Sequence, residues 1–328
     1  MDIELTDMLS GRALRLWKDL LCRCGLHPQG QWEQTVLLWE GGTLIATGSR
    51  RKNVLGCFAV DQAHQGEDLT ARILTVLRQE AFRCGQHHLF LYTKPQNMLL
   101  FRSLFFYPVA ETPEVLLMED RANGIRDFLA SLPPAVAGNR IGAAVMNCNP
   151  FTLGHQYLIE TAAAQCDHLY VFVLSEDQPP FPASDRLMLV QQGTAHIPNV
   201  TVLPTGPYLV SSATFPTYFL KDRDQADTIH CMLDIAIFTK YFAPRFHITT
   251  RFVGTEPVSP MTNLYNQALS AQLPQAGIGL IEIPRLEHAG TPISASALRA
   301  LLHTGNAEQI KALVPPTTFA YLQRNHLL

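Results

Sequence analysis

Beyond Pro133-Pro134 the chain settles into a rhythm that few architectures accept. Short β-rich runs occur at Ile141–Met146, Leu169–Leu174, Val200–Leu203, Phe252–Val253 and Gly279–Ile283, and helical patterns over Gln156–Gln165, Asp185–Ala195 and Asp222–Phe242 lie between most of them. Alternation of strand and helix predicts parallel strands joined by helical crossovers, an α/β unit with a doubly wound, Rossmann-like sheet. The stretch before the prolines reads differently. Leu9, Ala13, Leu16, Trp17, Leu20 and Leu21 recur at helical spacing, and Gly25 is placed to stop that helix. Thr35–Glu40 and Thr43–Thr47 flank Gly41-Gly42 as a hairpin, and Val54–Val60 adds a strand. Asp68–Cys84 carries one apolar helical stripe, and His88–Tyr92 is a short strand. Two domains are expected, an α+β unit over residues 1–132 and the α/β unit over 133–328, because two prolines break the preceding helix.

The segment richest in chemistry is Ile141-Gly-Ala-Ala-Val-Met-Asn-Cys-Asn-Pro-Phe-Thr-Leu-Gly-His155. A buried strand runs into a loop, residues 147–154, and then into a helix predicted to begin about His155. Ligands of parallel sheets sit at the carboxyl ends of strands, where helix N-termini offer free N–H groups and partial positive charge to an anion. Triphosphate is the occupant this loop fits. Gly154 permits close backbone approach, and Thr152 and His155, three apart, can point the same way. The turn carries neither G-x-x-x-x-G-K-S/T nor G-x-G-x-x-G, so neither a Walker-type ATPase nor a dinucleotide-binding dehydrogenase is supported. A second stretch, Pro292-Ile-Ser-Ala-Ser-Ala-Leu-Arg299, places Ser294 or Ser296 at a helix start with Arg299 about one turn on. Hydroxyls, free N–H groups and a guanidinium suited to bidentate phosphate binding then converge.

Charge decides the class of partner. Lys and Arg number 25 against 28 Asp and Glu, a net charge of -3, so no attraction to a nucleic-acid backbone dominates. The seven cysteines show no C-x-x-C pair, which reads as reduced thiols in a cytoplasmic protein without a metal centre. The acidic start, Met1-Asp2-Ile3-Glu4, is unlike a secretory signal, and no apolar run reaches the ~20 residues of a membrane span.

At the two motifs the sequence resembles the nucleotidylyltransferase superfamily, which carries H/T-x-G-H after its first strand and I-S-S-S/T-x-x-R near its C-terminus. Met146-Asn-Cys-Asn-Pro-Phe-Thr-Leu-Gly-His155, Phe252-Val-Gly-Thr-Glu-Pro257 and Tyr265-Asn-Gln267 are similar to the citrate lyase ligase family in particular, and the likeness extends across nearly the whole chain. The resemblance implies that Thr152 and His155 bind phosphate and stabilise the transition state, and that Ser294, Ser296 and Arg299 hold the phosphates that leave. It extends the nucleotide site to Asn147, Asn149, Pro150, Phe151, Gly154, Gly254, Thr255, Glu256 and Ile293. Ala295 stands where the superfamily has its second serine. The loop Ser175–Ser184 lacks the lysine common there, and Lys221 or Arg186 is the candidate substitute. Glu256 reads equally as an adenosine contact or a turn residue.

By the same resemblance the substrates are ATP with Mg²⁺, acetate, and an acyl carrier subunit of citrate lyase bearing a phosphoribosyl-dephospho-CoA thiol. Two other readings stay open: a nucleotidylyltransferase of CoA or NAD synthesis, and a regulatory protein that senses acyl-CoA and nucleotide without catalysis. His87-His-Leu-Phe-Leu-Tyr-Thr-Lys-Pro-Gln-Asn97 resembles the second half of a GNAT acetyltransferase domain. That family's pyrophosphate loop corresponds to His64-Gln-Gly-Glu-Asp-Leu69, where Gly66 is in place but Asp68 would repel pyrophosphate. Binding of a CoA-like arm, or a purely structural or docking role, are the alternatives for this domain.

Overall fold

The computed structural model describes residues 1–28, 32–209, 216–220, 225–256, 259–302 and 307–328. The chain forms two compact units, Met1–Gly124 with Thr214–Ala236 and Ile125–Ala213 with Ile237–Leu328. A single boundary at Pro133-Pro134 does not describe these units, because Thr214–Ala236 packs with the first.

The first unit is built on a mixed sheet of order β1-β2-β3-β4-β5-β7-β6. Its strands are β1 (Asp2–Thr6), β2 (Gln34–Glu40), β3 (Thr43–Arg51), β4 (Val54–Val60), β5 (Phe90–Thr93), β6 (Tyr107–Glu111) and β7 (Leu116–Glu119). The β2–β3 turn needs positive φ at both central positions, and Gly41 and Gly42 supply it at 55° and 79°. Helix α1 (Gly11–Arg23) buries Trp17, Leu20 and Leu21, while α2 (Leu69–Arg83) lays Ile73 and Leu77 into a core with Val36, Leu91 and Met118. Strands β4 and β5 run parallel but pair only at Val54↔Phe90 and Leu55↔Leu91, and a short helix α3 (Met98–Ser103) follows β5.

Helix α4 (Gly124–Ser131) leads into the second unit, whose strands are β8 (Ile141–Met146), β9 (His168–Val173), β10 (Val200–Pro204), β11 (Thr250–Gly254) and β12 (Gly279–Ile283). All pair in parallel in the order β10-β9-β8-β11-β12. Every residue of β9 is buried, as both faces of a covered parallel sheet require. Each large apolar side chain buried this way contributes about 1.5–3 kcal/mol. Helices α5 (Leu153–Ala163) and α6 (Ala183–Thr194) pack through Ile159, Leu189 and Val190 onto Ala144, Val171 and Phe252. The chain winds outward from β8 in one direction through β9 and β10, then in the other through β11 and β12. The carboxyl end of β8 is therefore the switch point of a doubly wound sheet, the place where ligands of such sheets bind. The remaining helices are α7 (Ala226–Ile237), α8 (Ala243–Phe246), α9 (Pro260–Gln272), α10 (Ala295–Leu302), α11 (Ala307–Lys311) and α12 (Pro316–Arg324).

Candidate active site

At the end of β8 the chain enters the loop Asn147–Phe151, and α5 starts at Leu153, two residues before the start expected at His155. The reason is local. Thr152 adopts an extended conformation (φ -119°, ψ 168°) and caps the helix, its Oγ1 accepting the His155 N–H at 3.4 Å. His155 Nδ1 reciprocates by accepting the Thr152 N–H at 3.1 Å, completing a capping box in which histidine occupies the usual Glu or Gln position. Thr152 Oγ1 also lies 2.9 Å from His155 Nδ1. Because a backbone N–H must donate, Nδ1 accepts, and the proton of the neutral ring sits on Nε2. Burial, aided by the Arg285 charge, lowers the His155 pKa from 6.5 to about 4, so the ring is neutral at pH 7 and offers Nε2–H as a donor. Phe151 is fully buried against the His155 ring at 6.0 Å, and Gly193 of α6 leaves the space for it.

The second stretch meets the first. A hairpin, β13 (Glu287–His288) and β14 (Thr291–Pro292), delivers Ser294 to the start of α10, where Ser294 Oγ accepts the Ala297 N–H at 3.1 Å and lies 3.2 Å from Ser296 Oγ. Arg299 then donates from Nη1 to the Asn149 carbonyl. A Cβ added to Gly154 would stand 2.9 Å from the Ile293 carbonyl oxygen. The close approach that Gly154 permits is thus by the backbone of the other stretch. The Leu153 N–H donates to the Leu313 carbonyl at 2.9 Å, tying the α5 start to the segment after α11 as well.

Several residues named from sequence have their polar groups engaged by the protein. Arg186 is fully buried, and four of its five donors go to oxygens of Asn147, Glu176 and Phe181, so it holds the loop and does not reach for phosphate. Glu256 pairs with Arg285 and accepts the Ser259 N–H at 3.0 Å, while Arg285 Nε donates to the Thr255 carbonyl at 2.7 Å. This knot shapes the turn after β11, whose last residue, Gly254, accepts from Asn266 Nδ2 at 3.0 Å. Asn147 donates to Gln178 at 3.0 Å. Asn149 donates to the Pro179 carbonyl at 3.2 Å, an orientation that leaves its Oδ1 buried without a hydrogen-bond partner. Lys221 lies outside the described residues.

The comparisons with known proteins fall on this geometry. Residues 141–322 match the family model of the citrate lyase ligase C-terminal domain. Over 305 residues, 91% of this chain and 89% of the relative, the sequence is 42% identical to the citrate (pro-3S)-lyase ligase of Klebsiella pneumoniae. The chain belongs to the citrate lyase ligase family. The family member of Escherichia coli strain K12 is likewise 42% identical, over 85% of this chain and 82% of its own. Membership makes the chain an enzyme of the ligase class. An acyl-CoA N-acyltransferase from Pseudomonas aeruginosa overlaps 37% of the chain and 99% of itself at 18% identity and a TM-score of 0.31, a likeness and no more.

Within this citrate lyase ligase fold, sequence reasoning missed Arg285, which no motif spacing marks, and the clamp role of Arg186, whose carbonyl partners have no sequence signature. In the first unit, a cavity of about 870 Å³ opens where β4 and β5 part, lined among others by Phe58, Val60, Gly66, Asp68, Lys94 and Tyr218. Tyr218 donates to the Tyr92 carbonyl, and its ring sits at Gly56, where a Cβ would meet it at 2.7 Å. Among the described residues no helix is long and apolar enough to cross a membrane.

Proposed function

We propose that the second unit binds ATP at the carboxyl end of β8 and joins acetate to its α-phosphorus, releasing pyrophosphate and holding acetyl-AMP. The single observation that carries this reading is the junction of the two stretches: Arg299 on the Asn149 carbonyl and Ile293 against Gly154. Thr152 and the Nε2–H of His155 face the α-phosphorus and stabilise the charge of the pentavalent transition state, and Ser294, Ser296 and Arg299 hold the β- and γ-phosphates. Asn147, Pro150, Phe151, Gly254 and Thr255 shape the walls. Acetate is ionised at neutral pH and needs no base, so a histidine kept neutral serves as donor without transferring its proton. Mg²⁺ would neutralise charge on the leaving pyrophosphate, and the buried, unpartnered Asn149 Oδ1 is an oxygen suited to its water shell.

In the second step a thiol sulfur bonds to the acyl carbon as the acyl C–O bond to AMP breaks, the thiol proton passing to solvent. The names of the relatives favour the acyl carrier of citrate lyase as the thiol's owner. The cavity of the first unit, lined by apolar Phe58 and cationic Lys94 among others, supports a place for a CoA-like arm, and Asp68 at the α2 N-terminus weighs against its pyrophosphate end. The enzyme is tested by incubation with ATP, Mg²⁺, acetate and deacetylated citrate lyase. AMP, pyrophosphate and restored lyase activity are expected. Pyrophosphate without AMP would favour the cofactor-synthesis reading.

A further inference from the structure

Arg186 carries a charge that no salt bridge neutralises among the described residues. It is fully buried on α6, and its hydrogen bonds run to oxygens of neutral groups: Nη1 to the Asn147 carbonyl at 2.7 Å and to Asn147 Oδ1 at 2.6 Å, Nε to the Phe181 carbonyl at 3.2 Å, and Nη2 to the Glu176 carbonyl. Among the described residues it joins no ion pair. Asp177 and Glu176 act on it only through space, and each has another partner: Asp177 accepts the Ala183 N–H at 2.9 Å and Glu176 accepts from Gln178 at 3.3 Å. The neighbouring Cys148 thiol is pushed up by burial and stays neutral. Burial lowers the Arg186 pKa from its ordinary value, yet a guanidinium remains charged at neutral pH.

Isolated buried cations are costly and are usually paired. This one is built into the floor of the loop that leads through Asn149 to Thr152 and His155, in a chain whose loop Ser175–Ser184 contains no lysine. We infer that Arg186 is the fixed positive charge of the triphosphate site, acting from beneath the loop through its field and never by touching the ligand. Its contact-free partner is the nucleotide: an arriving polyphosphate adds negative charge to the part that Asp177 and Glu176 supply through space. In a poorly screened interior that attraction extends beyond contact distance and grows with each phosphate charge. The inference rests on the nucleotide reading above.

The test is a charge ladder. Binding of adenosine, AMP, ADP and Mg²⁺-ATP is measured by calorimetry for the wild type, Arg186→Gln and Arg186→Lys, with melting curves to verify folding. The wild type should tighten with each phosphate. Arg186→Gln should bind adenosine unchanged but ATP at least about tenfold more weakly, flattening the ladder, while Arg186→Lys should keep most of the gradient despite a lower melting temperature. A glutamine variant with the wild-type gradient overturns the assignment. Should it melt below the assay temperature, a folded lysine variant with no gradient does the same. A wild type that binds ATP no better than adenosine would instead defeat the nucleotide reading.

Discussion

The Ile293 carbonyl oxygen lies so close to Gly154 that a methyl group on the glycine would stand 2.9 Å from it. On an isolated helix Gly→Ala stabilises by about 1 kcal/mol, whereas forcing apart packed backbone costs about 1–3 kcal/mol. The obstacle is backbone and cannot swing aside, so the cost should win. Gly154→Ala is expected to lower the melting temperature and to cut adenylation by at least about tenfold as the Ile293–Arg299 stretch is displaced. A variant as active and stable as the wild type would show that the two stretches need not meet.

His155 carries a structural and a chemical role that can be separated. Glutamine at the third helical position can still accept the Thr152 N–H, so His155→Gln should keep the cap and most of the stability. Loss of a positioned donor costs on the order of 10²–10³ in rate. His155→Ala should be similarly inactive and also about 1 kcal/mol less stable. Either variant retaining more than a tenth of the activity in a steady-state pyrophosphate-release assay would remove His155 from the reaction.

The same residue sets a pH dependence. Folding holds its pKa at about 4, below the ordinary 6.5, so the unfolded chain binds the extra proton between those values. Stability from this group is therefore full above pH 6.5 and declines as pH falls toward 4, by up to about 1.4 kcal/mol per unit. Urea midpoints measured from pH 7.5 to 4.5 should fall less steeply in His155→Gln than in the wild type. Equal slopes would contradict the half-buried, neutral ring.

The hydroxyls of Ser294 and Ser296 should part company. Ser294 caps α10, so Ser294→Ala is expected to cost about 1 kcal/mol of stability as well as raise KM for ATP. Exposed Ser296 caps nothing in the same way, and Ser296→Ala should affect ATP alone. Thermal melts beside ATP titrations distinguish the two. Matching losses of stability would deny Ser294 its capping role.

Glu256 belongs to the turn and not to adenosine if its knot with Arg285 and Ser259 is its purpose. Glu256→Gln should then destabilise by about 1–3 kcal/mol, because a mostly buried cation loses its partner, while KM for ATP stays within about twofold. A large rise in KM with unchanged melting temperature would reverse that assignment.

Much of this was legible in the sequence because short-range physics wrote it there. The β2–β3 hairpin followed from Gly41-Gly42, and the parallel sheet from alternating strand and helix. The pairing of residues 152–155 with 294–299 was legible only as a resemblance, since no local pattern encodes a contact across 150 positions. Strand β1 escaped notice because Asp2–Thr6 is exposed or half-buried along its length and shows no apolar run. The return of Thr214–Ala236 to the first unit and the Arg186 clamp were invisible for the same reason: Tyr218 and Arg186 bind backbone carbonyls, which every residue possesses.

Acetate-dependent exchange of labelled pyrophosphate into ATP tests most directly whether the joined stretches form a pocket that splits ATP between its first and second phosphorus. The account predicts exchange that requires acetate, needs no carrier thiol and disappears in Arg299→Ala. Nucleotide turnover that yields ADP and phosphate, with no label entering ATP, would contradict it.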